Sequence, residues 1–173
     1  MYHIIPMLAL SIFIVVPAQA QTVKRIDLRN GSGISTFYLV FAAREGSPVG
    51  HAFVIWGSDD ADKQMCVQNA FGLYPQKGKG VFGEVAGEIA NESLKGGMSK
   101  ISDRLIVIVN SWHHSKAESI RREWARRGNY RVAESDCVSF IDAVARAIGL
   151  KTPKRSLSTL KPQWYVRELM KLN

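Results

Sequence analysis

Along the chain, hydrophobic and polar positions change their period partway. Residues 34–43 (ISTFYLVFAA) form a short run rich in β-branched and aromatic side chains, and 49–56 (VGHAFVIW) resume it after Arg44-Glu45-Gly46-Ser47-Pro48. Two such runs across Gly-Pro turn chemistry predict an antiparallel hairpin. Residues 64–73 alternate loosely and stop at Pro75, predicting a third strand in meander order. Residues 104–110 (RLIVIVN) are continuously apolar between polar ends, the pattern of a strand central in its sheet.

The later half shifts to helical spacing. Ser115-Lys116-Ala117-Glu118 reads as a capping box, with Ala117, Ile120 and Trp124 on one face until Gly128 stops the helix and with Trp124 in the core. After Tyr130-Arg131-Val132, Ser135 or Asp136 can cap a second helix whose apolar face is Cys137, Phe140, Ile141, Val144 and Ile148, closed by Gly149 and Pro153. Residues 164–172 predict a last amphipathic helix carrying Trp164, Val166, Leu169 and Met170. Two stretches show no sustained period. Residues 21–33 read as a polar lead-in, and 76–103, with six of the fourteen glycines, read as a long loop around a short element at 81–89. A loop of that length is often functional, so it is a candidate lid or substrate-binding segment. Strands first and helices later make an α+β domain, an antiparallel sheet packed against helices.

Composition narrows the class. With 173 residues, 46% apolar and 22% charged, the chain can bury a real core, which excludes disorder and a multi-disulfide miniprotein and sets one domain as the expectation. The first twenty residues hold no Lys, Arg, Asp or Glu, and an apolar run at 4–16 ends in Pro17-Ala18-Gln19-Ala20. An apolar run too short to span, followed by an A-x-A site, predicts a signal peptide at 1–20 and a mature domain at 21–173, secreted or periplasmic. An uncleaved anchor is the alternative, and it also places the domain outside the cytoplasm. The formal charge of +8 lies entirely in the mature part. Outside the cytoplasm this basic balance argues against nucleic acid and for peripheral contact with an anionic envelope surface, such as lipid head groups, wall polymers or acidic peptides.

Candidate chemistry rests on few residues. A thiol is nucleophilic as thiolate, and the first turn of a helix, where Cys137 falls, favours negative charge. The same N–H groups can stabilise an oxyanion. Such a cysteine needs a base, and His51, between the small Gly50 and Ala52 on a strand, is the candidate. Other signals lack context. Gly78-Lys79-Gly80-Val81-Phe82-Gly83 matches G-x-G-x-x-G without strand and helix around it, so no dinucleotide is expected. Adjacent His113-His114 point apart, Asp59-Asp60-Ala61-Asp62 lacks the calcium-loop glycine and glutamate, and there is no G-x-S-x-G. No metal or other cofactor is expected.

Gly50-His51-Ala52-Phe53 on an antiparallel strand, Phe71-Gly72-Leu73-Tyr74-Pro75, Tyr130, and Asp136-Cys137-Val138-Ser139-Phe140 opening a helix resemble the permuted papain-like cysteine hydrolases, the NlpC-like and lecithin-retinol-acyltransferase-like group. In that group the histidine precedes the cysteine in the chain, as here. The resemblance, over residues 34–150, implies a permuted papain-like fold with Cys137 as nucleophile and His51 as base, forming an acyl-enzyme from an amide, thioester or ester. Relatives add a polar residue that orients the histidine. Gln64, Gln68 and Asn69 are offered by the neighbouring strand, with Gln68 preferred. The implied substrates are peptide, cell-wall or lipid acyl groups, a wall peptide or isopeptide amide first. A rival reading pairs Cys66 with Cys137 as a disulfide and makes the protein a basic binding module for an anionic envelope component. An inhibitor or immunity-type partner of an exported enzyme is a third reading, with no motif of its own.

Overall fold

The computed structural model describes residues 22–29, 36–46, 50–59, 64–76, 83–92 and 101–173. It opens with strand β1 (Thr22–Asp27), where the sequence reads as a polar lead-in. The strand lies at one edge of the sheet with four of its six residues exposed, so its Lys and Arg are tolerated and its pattern is weak. Strands β2 (Phe37–Arg44), β3 (His51–Asp59) and β4 (Met65–Pro75) follow as the expected meander. Strand β5 (Val85–Asn91) and the start of β6 (Ile101–Val109) both fall within 76–103, so that segment is not one structureless loop. The short element expected at 81–89 is β5, a strand that runs two residues further and stands because it pairs along the end of β4, Phe71 to Pro75 against Asn91 to Gly87.

Helix α1 (Ser111–Arg127) begins before the Ser115 box. Asn110, in extended backbone at the end of β6, caps it by accepting from the N–H groups of Trp112 and His113, which leaves Ser115 one turn inside. Gly128, at φ 63°, ends it as expected. A two-residue strand, β7 (Asn129–Tyr130), leads to α2 (Cys137–Ala147), then to a 3-10 turn (Ser158–Leu160) and α3 (Pro162–Leu172). Pro162, free of an N–H that a first turn cannot use, starts α3 ahead of Trp164. Val166, Leu169 and Met170 are buried on that helix, whereas Trp164 is exposed and not part of its core face.

Among the described residues seven strands lie in the order β1-β6-β2-β3-β4-β5-β7, all neighbours antiparallel except the parallel pair β1–β6. Alternation along the strands divides the core. Leu39, Phe41, Val54, Trp56, Leu105 and Val107 face the helices, while Val40, Ala42, Phe53, Ile55 and Ala70 form a smaller buried cluster on the opposite face. Helix α2 packs on β3 and β4, α3 on β6 and β2, and α1 on α2, where Trp124 meets Phe140 edge to face at 5.9 Å. Burying each such large side chain contributes about 1.5–3 kcal/mol, so α2 is held by its Val138, Phe140, Ile141 and Val144 stripe more than by helix propensity. The architecture is α+β. Among the described residues no helix is long and apolar enough to cross a membrane. The expected signal peptide, the glycine-lysine motif at 78–82 and the aspartates at 60 and 62 lie outside the described residues.

Candidate active site

His51 is the first residue of β3, set opposite Arg44 of β2 immediately after Gly50, whose φ of 80° turns the chain into the strand. Its imidazole is 8% exposed and stacks on the Tyr74 ring of β4 at 4.1 Å between centroids. Glu92 follows β5 directly. Its N–H donates to the Ala70 carbonyl (2.8 Å), extending the β4–β5 pairing by one step and fixing where the side chain departs. The carboxylate is fully buried, with Oε1 3.0 Å from His51 Nε2. Oε2 accepts from the Tyr74 hydroxyl (2.9 Å) and lies 3.2 Å from Arg44 Nη1, while Arg44 Nη2 donates to the Tyr74 oxygen (2.7 Å). Such burial is tolerable for a carboxylate because imidazole, phenol and guanidinium all compensate it.

Gly72 of β4 lies beneath the His51–Glu92 contact. A Cβ there would collide with both His51 Nε2 and Glu92 Oε1, so the missing side chain is the space in which the two groups meet.

Cys137 opens α2 and is 7% exposed. The preceding Asp136 is a heavily engaged cap: Oδ1 accepts from the Ser139 N–H (2.8 Å) and hydroxyl (2.9 Å), and Oδ2 from the Ala133 N–H (2.7 Å) and Arg155 Nη2 (2.8 Å). That turn holds Ala133 at φ 71°, a conformation costly for a residue with a Cβ and supported here by the bond to Asp136. The thiol lies near enough to the imidazole for its charge and hydrogen bonding to bear on the ring's proton. Since Nε2 is taken by Glu92, Nδ1 is the ring nitrogen left for sulfur.

Burial alone would pull the pKa of His51 down. The negative charge and hydrogen bond of Cys137, with the bond and charge of Glu92, outweigh it and lift the group to about 9. Below that pH, the ring between Cys137 and Glu92 is an imidazolium. Tyr130, on β7, is pushed upward by burial and then by the charges of Cys137 and Asp136, so it is a neutral phenol beside the thiol. The helix ladder leaves the N–H groups of Cys137 and Val138 unclaimed, whereas that of Ser139 goes to the cap. A thiol, a proton carrier and helix-terminal donors therefore converge, the requirements of acyl transfer.

The structure brings Cys137 and His51 together and does not bring Gln68 to them. Gln68 is exposed on β4 and donates to Ser58 Oγ (2.7 Å), and it is Glu92 that holds the histidine. Glu92 was hidden because it follows β5 in a segment without period. Gly72 was its available signal, since a glycine within a strand often marks a close approach. Both cysteines are free thiols, Cys66 exposed and Cys137 buried. Cys66 pairs with Ser58 at the far end of β3 from His51, roughly 23 Å away at the rise of a strand, whereas a disulfide needs its Cα atoms within about 7 Å. His113 is engaged by Asn110 and His114 stacks on Phe37, so the two histidines serve different neighbours. Comparison with protein-family models, with curated proteins and with solved structures finds no match to this chain.

Proposed function

We propose that this chain is an exported cysteine hydrolase or acyltransferase of permuted papain-like type, with Cys137 as nucleophile, His51 as acid and base, and Glu92 orienting the histidine. The observation that carries the reading is the meeting of Cys137, at the mouth of α2, with a His51 imidazole whose other nitrogen is bound to buried Glu92. The chain order, histidine strand before cysteine helix, supports the permuted arrangement.

In the first half-reaction the Cys137 thiolate attacks the substrate carbonyl carbon, and the electron pair of the C=O bond moves to oxygen, facing the N–H groups of Cys137 and Val138. Collapse re-forms the C=O bond and breaks the bond to the leaving group, which takes the proton from His51 Nδ1. A thioester on Cys137 remains. Water, or an acceptor in a transferase, then attacks, giving its proton to Nδ1, and the C–S bond breaks to restore thiolate and imidazolium. Glu92 keeps Nδ1 aimed at sulfur and compensates the ring charge at the start of each cycle.

The favoured substrate is a peptide or isopeptide amide of the cell wall, on the ground that export and a charge of +8 suit an anionic wall. A lipid ester or thioester is the runner-up, served by the same chemistry. The rival binding module, stapled through Cys66 and Cys137, is disfavoured by the length of β3 between the two thiols. The test is brief alkylation with iodoacetamide near pH 6, followed by intact mass, and then turnover of wall peptides and acyl esters. Rapid single labelling at Cys137 that is lost in His51→Ala is the expected result. Labelling of Cys137 no faster than that of an unfolded thiol overturns the reading.

A further inference from the structure

Leu157 is 89% exposed, at the tip of a turn that is braced rather than loose. The Ser156 N–H donates to Thr159 Oγ1 (2.7 Å), Thr159 Oγ1 donates to the Lys154 carbonyl (3.1 Å), and Arg155 spans Thr159 O (3.3 Å) and Asp136 (2.8 Å). A large apolar side chain is thus held out in solvent by a built support. On the first turn of α3, Trp164 is 46% exposed, and it lines one shallow depression together with Ser158, which places the ring beside the leucine's turn. Lys161 Nζ lies 5.0 Å from the centre of that ring.

Around these two residues the exposed charge is mainly basic. Lys154 and Lys161 are exposed, and among the described residues no carboxylate pairs with them, while Glu168, which lines the same depression as Trp164, is paired with Lys171, and Asp136 and Asp103 are engaged by Arg155 and Arg167. Isolated surface leucines are ordinary. Here a protruding leucine, a half-exposed tryptophan and two lysines coincide, and each suits one depth of the same medium. Indole prefers the head-group level, leucine gains by reaching the acyl boundary, and lysine is drawn to lipid phosphate. An acidic protein would satisfy the lysines, but a projecting leucine needs a layer that opens to receive it.

We propose that the face formed by Leu157, Trp164, Lys154 and Lys161 docks the protein onto an anionic lipid bilayer. Arg155 ties the leucine's turn to Asp136, the cap of the helix that carries Cys137, so the docking face and the thiol belong to one braced unit. The surface stands whether or not Cys137 is a nucleophile.

The experiment is cosedimentation of the purified full chain with vesicles of phosphatidylcholine, alone or containing about one third phosphatidylglycerol. Expected are binding to the anionic vesicles, a loss of about twenty-fold in Lys154→Gln/Lys161→Gln, and a loss of about five-fold in Leu157→Ser and in Trp164→Ala. All variants share residues 1–21, so differences between them report the proposed face. Thermal midpoint and Cys137 alkylation should match the wild type throughout. Variants that bind as the wild type does overturn the proposal. So does equal binding to neutral vesicles, or no binding to either, which would turn the face toward an acidic protein.

Discussion

His51 Nε2 lies 3.0 Å from Glu92 Oε1, across a strand that has no side chain at the crossing point. The contact assigns the two ring nitrogens different duties, one to a carboxylate sealed from water and one to the Cys137 thiol. It also places the Glu92 carboxylate where, among the described residues, groups from β2, β3 and β4 contact it.

Glu92→Gln tests that assignment. The amide keeps the shape but removes the charge and leaves Arg44 without its counter-ion. The His51 midpoint, followed by NMR of its ring protons, should fall from about 9 toward the ordinary value. Cys137 alkylation near neutral pH should slow by about ten-fold or more, with a stability loss on the order of 1–3 kcal/mol. An unmoved midpoint would reject Glu92 as the orienting residue.

Gly72→Ala should uncouple fold from site. The added methyl enters the space between His51 and Glu92, so one of them must withdraw. A cost of about 1–3 kcal/mol leaves a folded protein by circular dichroism, yet thiol labelling should drop toward that of Glu92→Gln. Full reactivity in Gly72→Ala would mean that the contact is dispensable.

Cys137→Ala should lower turnover by a factor on the order of 10⁴ or more while costing roughly 1 kcal/mol of stability, since alanine suits the same helix turn. Cys66→Ala should leave both unchanged, because its side chain is exposed and far from His51. If Cys66→Ala removed activity, the two thiols would have to act together.

Stability should depend on pH through His51. Its pKa is raised from 6.5 to about 9 on folding, so its contribution is complete below pH 6.5 and disappears as pH rises through 9. Urea unfolding of wild type and His51→Gln should differ by an amount that shrinks across this window, on the order of 3 kcal/mol in total. In Cys137→Ala the upper edge of the window should move down, because Cys137 is one of the groups that raise the His51 pKa.

The parts legible in the sequence were those with strong local patterns. The hairpin of β2 and β3, the stop at Gly128 and the Asp136 cap needed only neighbours in the chain. Placing Cys137 first on its helix followed from that cap, and His51 from the small residues flanking it. Strand β1 escaped because a polar edge strand carries no core period, and the bounds of β5 because its small residues resemble a loop. Glu92 escaped for a deeper reason: its partnership is made by strand pairing across β3, β4 and β5, and Gln68, nearer in sequence to the expected position, points to Ser58 instead.

The parallel pairing of β1 with β6 bears on how the chain is made. Thr22 meets Asp103, so β1 waits for a partner synthesised about eighty residues later. Until then its unsatisfied edge stands open, and Lys24 has no Met170 carbonyl to hold. A ribosome that stalled before residue 101 would release a meander with its first strand orphaned, vulnerable to proteases and to its own copies.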